Sequence, residues 1–370
     1  MNAPAVITER TTLDLSSGQV PDPLAPEIRE ALHAAADSPW SPYAARGGEP
    51  ALRAAVAAHY TGRTGRAFDA AGVVVTPGVR AGLFAAVAAV ARGRDVLVPA
   101  PHWSHYPRTL ELAGATMVTV PGAPADRWRL TVAALESART PKTAAVLVTS
   151  PVNPSGAVLD RARLRAIAGW AAEHGITVLV DDVYWAWAGA EDALASVGTD
   201  AVVVGGASKV HALAGLRLGW VLAPAGLRAV VDDVVEHVTG PVNTSAQAAG
   251  MVALTEPFCS RDVAERRQRL AAASAEATAA MRGVRGVDVV PADAGLYLCL
   301  SVERLLAGAT FGATDDRTLC AAIADRSGVR LRAGSTFGMP EHLRLCVAAA
   351  PGVLAAAAAR LDALLPDLPR

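Results

Sequence analysis

Only two of the 34 basic residues in this chain are lysines, Lys142 and Lys209. Lys209 lies in Gly206-Ala-Ser-Lys-Val-His-Ala-Leu-Ala-Gly-Leu-Arg-Leu-Gly-Trp220. A primary amine can lose its proton at accessible cost and attack a carbonyl carbon, which a guanidinium cannot do. Lys209 is therefore the first candidate for covalent chemistry, as a Schiff base with a carbonyl compound. Lys142, in the polar turn Arg139-Thr-Pro-Lys142, reads as a surface lysine. Other polar residues follow short apolar runs. Residues 73–75 lead into Thr76-Pro-Gly-Val-Arg80, where Gly78 permits a tight turn. The N–H groups of a helix starting after it can hold an anion. The run 144–148 ends in Thr149-Ser-Pro-Val-Asn153-Pro-Ser-Gly156, and 177–180 ends in Asp181-Asp-Val-Tyr184. The run 201–204 ends in Gly205-Gly-Ala-Ser-Lys209, with Arg217 eight residues on. Each alone has a plainer reading: a loop for the Asn-Pro-Ser-Gly turn, a helix cap for Asp181. Together they supply an amine, an anion cradle, a cation, a carboxylate and hydroxyls. That set suits a phosphorylated aldehyde carrying a basic ring nitrogen.

The elements that must position these groups are legible as an alternation. Apolar runs at 73–75, 95–98, 116–120, 144–148, 177–180 and 201–204 read as buried strands, with helical patterns near 81–92, 106–113, 131–137 and 161–174. Strands apolar on both faces, alternating with helices, predict an α/β fold: a mostly parallel central sheet wrapped by helices on both faces. In such a sheet ligands bind outside the carboxyl ends of the strands. Beyond about residue 223 the pattern changes. Helices near 227–238, 245–254 and 261–281 precede short strands at 287–290, 296–300, 329–331 and 343–347, and a helix over 351–365 closes the chain. We expect an N-terminal segment (1–40) packing with a smaller α+β domain (256–370), and a large domain (41–255) holding the cofactor. With 52% apolar residues, 19% charged and a net charge of -1, the chain has a large core and no footprint for nucleic acid. Four cysteines without CxxC spacing suggest free thiols and no metal site. No secretory signal and no membrane span are expected, which points to the cytoplasm.

In order and spacing, these motifs resemble the pyridoxal-phosphate enzymes of the aspartate aminotransferase superfamily, the class I/II aminotransferases of fold type I. The resemblance is colinear from Leu13-Asp-Leu-Ser-Ser-Gly18 to Leu343-Arg-Leu345. Its most specific parts are Asn153-Pro-Ser-Gly156, Asp181-Asp-Val-Tyr184, and Ser208-Lys209 followed by Gly215-Leu-Arg-Leu-Gly219. It implies pyridoxal 5'-phosphate as cofactor, held by Lys209 as a Schiff base. Lys209 would then move the proton between the substrate α-carbon and the cofactor's aldehyde carbon. It also implies that Asp181 pairs with the ring nitrogen, keeping the ring able to accept electrons. Asn153 and Tyr184 would bond the ring's phenolic oxygen. The N–H groups of Val79 and Arg80 behind Gly78, with Ser208 and Arg217, would hold the phosphate. Trp103, in Pro101-His-Trp-Ser-His-Tyr106, would stack on the ring. Arg344 would grip the substrate carboxylate, with Asn153 beside it and Gly18 letting the N-terminal segment come close. Tyr43, in Ser41-Pro-Tyr-Ala-Ala-Arg-Gly-Gly48, matches a tyrosine that reaches the neighbouring subunit's phosphate, which implies a homodimer with shared sites.

This sequence departs from the family pattern at two places. Gly206 stands where the family usually has a hydroxyl residue, which removes one phosphate contact. Arg332-Ala-Gly-Ser-Thr-Phe337 lacks the proline that many relatives have before the glycine, which bears on the substrate lid and not on the cofactor. The activity implied is transamination of an α-amino acid to a 2-oxo acid. An alternative on the same scaffold is elimination, replacement or cyclisation of an amino acid in a biosynthetic pathway, as in capreomycidine-synthase-like enzymes. A non-catalytic binding protein is a third reading, but the basic DNA-binding module it needs is absent. Candidates for the side-chain pocket, by rough position, are Gln19, Trp185, Trp187, Thr239 and Asn243. Asp182 could favour a basic substrate; its plainer reading is a solvated carboxylate.

Overall fold

The apolar runs form the strands their composition demands. The computed structural model describes residues 12–37, 42–187, 195 and 200–366. The chain divides into a large unit, Gln19–Ala271 with Ala292–Gly295, and a small unit, Met1–Gly18, Ala272–Pro291 and Leu296–Arg370.

Strand β1 (Leu13–Asp14) belongs to the small unit. The strands of the large unit are β2 (Val73–Thr76), β3 (Asp95–Ala100), β4 (Thr116–Pro121), β5 (Thr143–Thr149), β6 (Thr177–Asp181), β7 (Val202–Gly206) and β8 (Gly219–Leu222). Among the described residues they form a seven-stranded sheet in the order β2-β8-β7-β6-β5-β3-β4. Every pairing is parallel except those of β8, which runs antiparallel between β2 and β7. Strand β5 is buried along its whole length, as both-face cover requires. The helices are α1 (Pro26–Ala36), α2 (Pro50–Thr64), α3 (Val79–Ala91), α4 (Tyr106–Leu112), α5 (Val132–Ala138), α6 (Arg161–Glu173), α7 (Ala225–Val238) and α8 (Thr244–Leu254). Helix α9 (Phe258–Met281) begins in this unit and ends in the small one. Their ends are set by the sequence: Thr131 caps α5 and Asp160 caps α6 through side-chain acceptors, and Pro50 opens α2. Leu52, Val56, Tyr60, Val75, Leu97, Val146, Val180, Val203 and Trp220 lie in one core; each such side chain contributes about 1.5–3 kcal/mol by leaving water. Residues 19–37 belong here because α1 lays Ile28 on α8, against this same core.

The small unit has its own core, with Leu15, Met281, Leu298, Leu300, Leu319, Leu343 and Leu345 among its members. It is built on β9 (Asp288–Val290), β10 (Tyr297–Ser301), β11 (Val329–Arg330), β12 (Arg332–Ala333) and β13 (His342–Cys346), with helices α10 (Glu303–Ala307), α11 (Asp316–Ser327) and α12 (Val353–Ala363). The order β12-β13-β10-β9 makes an antiparallel sheet, and β1 pairs with β11 in parallel. Among the described residues, no helix is long and apolar enough to cross a membrane.

Candidate active site

The site is built at the carboxyl ends of parallel strands. Strand β2 stops at Thr76, whose hydroxyl donates to the Gly78 carbonyl at 3.0 Å. Gly78 has φ +83°, a conformation that side chains disfavour, and it is the N-cap of α3. A glycine offers no side-chain acceptor to the first-turn N–H groups, so this helix start presents them, and the positive end of its dipole, to an anion. Arg217 lies over the same turn. Its Nη1 donates to the Ala214 carbonyl at 2.9 Å, and a Cβ on Gly78 would fall 2.7 Å from its Nη2. Gly219, the first residue of β8, passes so close that its own Cβ would lie 2.6 Å from the Gly78 carbonyl carbon. Ser208 is buried just beyond the end of β7.

Gly206 has a steric reason. A Cβ there would sit 2.7 Å from Val79 Cγ2 and 2.9 Å from the Leu218 carbonyl oxygen. The branched Val79 side chain takes the room that a hydroxyl residue would need.

Strand β6 ends in Asp181, 3% exposed. It is a strand-end residue and not a helix cap. Its Oδ2 accepts the Tyr106 hydroxyl at 2.7 Å and its Oδ1 accepts the Val183 N–H at 3.3 Å. Burial pushes its carboxyl up to about 6, while the Tyr106 phenol, the Val183 N–H and the charge of Lys209 pull the other way. Lys209, partly buried, follows β7 through Ala207 and Ser208. Asn153, 2% exposed beyond β5, donates through Nδ2 to the Tyr184 hydroxyl at 3.4 Å, so the two groups expected to share one acceptor on a ring do meet. Tyr184 in turn packs on Trp187, ring centroids 5.3 Å apart. Trp103, after β3, meets Tyr106 edge-on at 5.4 Å, and the Arg80 guanidinium lies 5.3 Å from its ring. Arg80 Nη2 is also 3.0 Å from His105 Nε2.

Asp182 is not a solvated carboxylate. It is 1% exposed and paired with Arg63 Nη1 at 2.9 Å, and that guanidinium covers the Trp185 ring at 4.3 Å. Its charge is thus paired inside the protein. Two pocket candidates serve helix ends: the Asn243 side chain caps α8 by accepting the Ala246 N–H, and the Thr239 hydroxyl donates to Val235 at the end of α7.

The small unit carries Arg344 on β13, 4% exposed. Its Nη2 donates to the Ser16 carbonyl at 2.6 Å, and its guanidinium lies 4.2 Å from the Tyr297 ring and 4.6 Å from the Phe337 ring. Gly18 touches the same tyrosine: a Cβ there would be 2.0 Å from the Tyr297 hydroxyl oxygen. Tyr43, in the large unit, is 93% exposed.

The profile of the family "Aminotransferase class I and II" matches residues 10–361. The chain is a class I and II aminotransferase. It is 31% identical over 287 residues to an aspartate aminotransferase of Streptomyces avermitilis, covering 75% of this chain and 70% of that one. It is 31% identical over 331 residues to a valine–pyruvate aminotransferase of Mycobacterium tuberculosis, covering 87% and 82%. Among solved structures, the aspartate aminotransferase of Thermus thermophilus with maleate superposes with a TM-score of 0.89 at 26% identity, over 96% of this chain and 92% of that one. The aminotransferase's cofactor is pyridoxal phosphate. The residues present fit that group: an anion cradle whose close approaches only glycine allows, a guanidinium over it, a buried carboxylate and an amine. These relatives are transaminases, so elimination or cyclisation is not favoured.

Sequence reasoning missed Tyr106, whose hydroxyl is bonded to Asp181. The available signal was a tyrosine in a segment already singled out for Trp103, since a buried phenol needs a partner.

Proposed function

We propose that this aminotransferase moves the amino group of an α-amino acid with a free α-carboxylate to a 2-oxo acid, with Lys209 carrying the proton and Asp181 serving the ring nitrogen. The observation that carries this reading is the Asp181 carboxylate, buried at a strand end, fixed by two donors and acted on by the charge of Lys209. When bound, pyridoxal phosphate supplies an aldehyde for the amine and a ring that stabilises the electron pair left at the α-carbon. The protein's own residues do the rest. Lys209 Nζ, once neutral, would take the proton from the α-carbon and return it to the cofactor's aldehyde carbon. Asp181 keeps a proton on the ring nitrogen by offering it a fixed negative charge. Asn153 and Tyr184 would bond the ring's phenolic oxygen, and Trp103 would stack on the ring. The N–H groups of Val79 and Arg80, with Ser208 and Arg217, hold the phosphate. Arg344 holds the α-carboxylate in a two-pronged bond; its guanidinium is already set between two aromatic rings.

The exposed Tyr43 supports a homodimer in which this phenol serves the partner's phosphate. The expected cytoplasmic location is part of the same reading. The names of relatives suggest aspartate, asparagine and valine as the first donors to assay, with pyruvate among the acceptors.

The test is a product analysis on the holoenzyme. Each donor, given in excess without an acceptor, should yield one equivalent of its 2-oxo acid and leave the nitrogen on the cofactor. Added 2-oxo acid should then recover it as a new amino acid. Lys209→Ala should lower turnover by several orders of magnitude. Free ammonia or a cyclised product from the wild-type enzyme would overturn the reading.

A further inference from the structure

Tyr106 carries none of the roles above, yet it is the nearest donor to the carboxylate on which they depend. It opens α4, it is 1% exposed, and its ring contacts Trp103 at 5.4 Å and His102 at 6.2 Å. Those contacts fix where the hydroxyl points, and it donates to Asp181 Oδ2 at 2.7 Å. With the Val183 N–H on Oδ1, each carboxylate oxygen has one donor and the group cannot rotate freely.

Asp181 has a specific difficulty. A carboxyl this deeply buried is driven toward its neutral form. In that form it offers the ring nitrogen no negative charge. Several charged groups bear on it. Asp182 is adjacent and pushes it further toward the neutral form, although its own charge is paired with Arg63 at 2.9 Å. Lys209 favours the ionised form only while its amine is protonated, and the amine must lose that proton to act. His102 is held neutral by its burial. The phenol is the lasting contribution: burial and the Asp181 charge keep its proton in place, so it remains a donor throughout. A donated bond to an ionised acceptor is shorter and stronger than one to a neutral acid.

We propose that Tyr106 is a positioning residue for Asp181, its phenol fixing the carboxylate's orientation and holding it in the ionised form that the cofactor's ring nitrogen requires. This rests on the assignment of Asp181 made above.

Tyr106→Phe keeps the ring and its packing and removes one oxygen. In the cofactor-free protein, carbon-13 NMR should follow the Asp181 carboxyl, assigned by its loss in Asp181→Asn. The titration midpoint should rise by about 1 or more in Tyr106→Phe, because a hydrogen bond to a charged group is lost. In the holoenzyme, kcat should fall tenfold or more with KM for the amino acid changed less than threefold. In an Asp181→Asn background, the same Tyr106→Phe change should cost less than twofold, since the group it acts through is gone. An unchanged Asp181 midpoint, or an equal loss of kcat in both backgrounds, would overturn the proposal. If Tyr106→Phe does not fold, fluorotyrosine placed at 106 gives the opposite arm. A more acidic phenol is a stronger donor, so the midpoint should fall; no movement would refute the role. Near-normal turnover in Asp181→Asn would instead sink the assignment of Asp181, and the NMR midpoint would still decide whether Tyr106 controls that carboxyl.

Discussion

Replacing Asp181 by asparagine in the cofactor-free protein should remove an acid preference that burial builds into the large unit. The carboxyl stands at about 6 in the folded protein against an ordinary value of 3.8. Below 3.8 it is protonated both folded and unfolded, and folding pays no penalty. Between 3.8 and about 6 the folded protein keeps a proton that the unfolded chain releases, so stability falls as pH rises. Above about 6 it is ionised in both states and the penalty is complete. A gap of about two pH units, at about 1.4 kcal/mol each, comes to about 3 kcal/mol. Asparagine carries no charge in any of these ranges. The stability of Asp181→Asn relative to wild type should therefore rise by about 3 kcal/mol between about pH 4 and about pH 7, above whatever constant offset the amide brings. All seven tryptophans lie in sequence within the large unit, so tryptophan fluorescence in urea follows that unit alone. Saturating cofactor should abolish the trend in the wild type, because a ring cation next to the carboxylate favours its ionised form. A difference that stays flat with pH would refute the reasoning: Asp181 would then titrate like a solvated aspartate, and burial would not be the dominant influence on it.

Gly219→Ala should weaken pyridoxal phosphate binding tenfold or more in an equilibrium titration while leaving the Asp181 titration in place, since the added carbon strikes the Gly78 backbone and not the carboxylate. Arg344→Ala should lower kcat/KM for amino acids by two or more orders of magnitude, the about 2–5 kcal/mol expected when one partner of a buried guanidinium–carboxylate pair is removed. Cofactor affinity should not change, and amines lacking a carboxylate should lose much less. Mixing Lys209→Ala chains with Tyr43→Phe chains should recover activity beyond either alone, because one of the two sites in the mixed dimer then has both groups. No recovery after proven subunit exchange would place Tyr43 outside its partner's site.

The sheet was legible because its strands are covered on both faces. Runs such as Thr143–Thr149 contain almost nothing but apolar residues, and the polar groups that interrupt them mark their ends. Asp181 stood out on those grounds, and Lys209 also as one of only two lysines. Strand β8 did not, because its four residues follow directly on the lysine motif and its two partners, β2 and β7, are remote or reversed. The roles of Tyr106 and Asp182 were hidden for a similar reason. Tyr106 finds its acceptor 75 positions away and Asp182 finds Arg63 119 positions away, so neither local pattern nor periodicity reports the pairing. Nothing in the sequence marks the unit boundary that falls after Gly18. Gly206 looked only like a lost contact, because the sequence does not show that a Cβ there would strike Val79 and the Leu218 carbonyl.

The antiparallel return of β8 makes the segment after β7 a closed loop. Gly206 and Gly219 are ladder partners, and the Ala207 N–H donates to the Leu218 carbonyl at 3.1 Å just above them. Ser208 and Lys209 rise on one leg and Arg217 descends on the other. The amine and the guanidinium are therefore two jaws of one caliper whose base is a pair of neighbouring strands, about 4.8 Å apart in any sheet. Its opening is gauged by that spacing. The Arg217 leg is braced in turn, because its Nη1 donates to the Ala214 carbonyl at 2.9 Å, so a residue added near Gly215 or to either leg would reset the gauge.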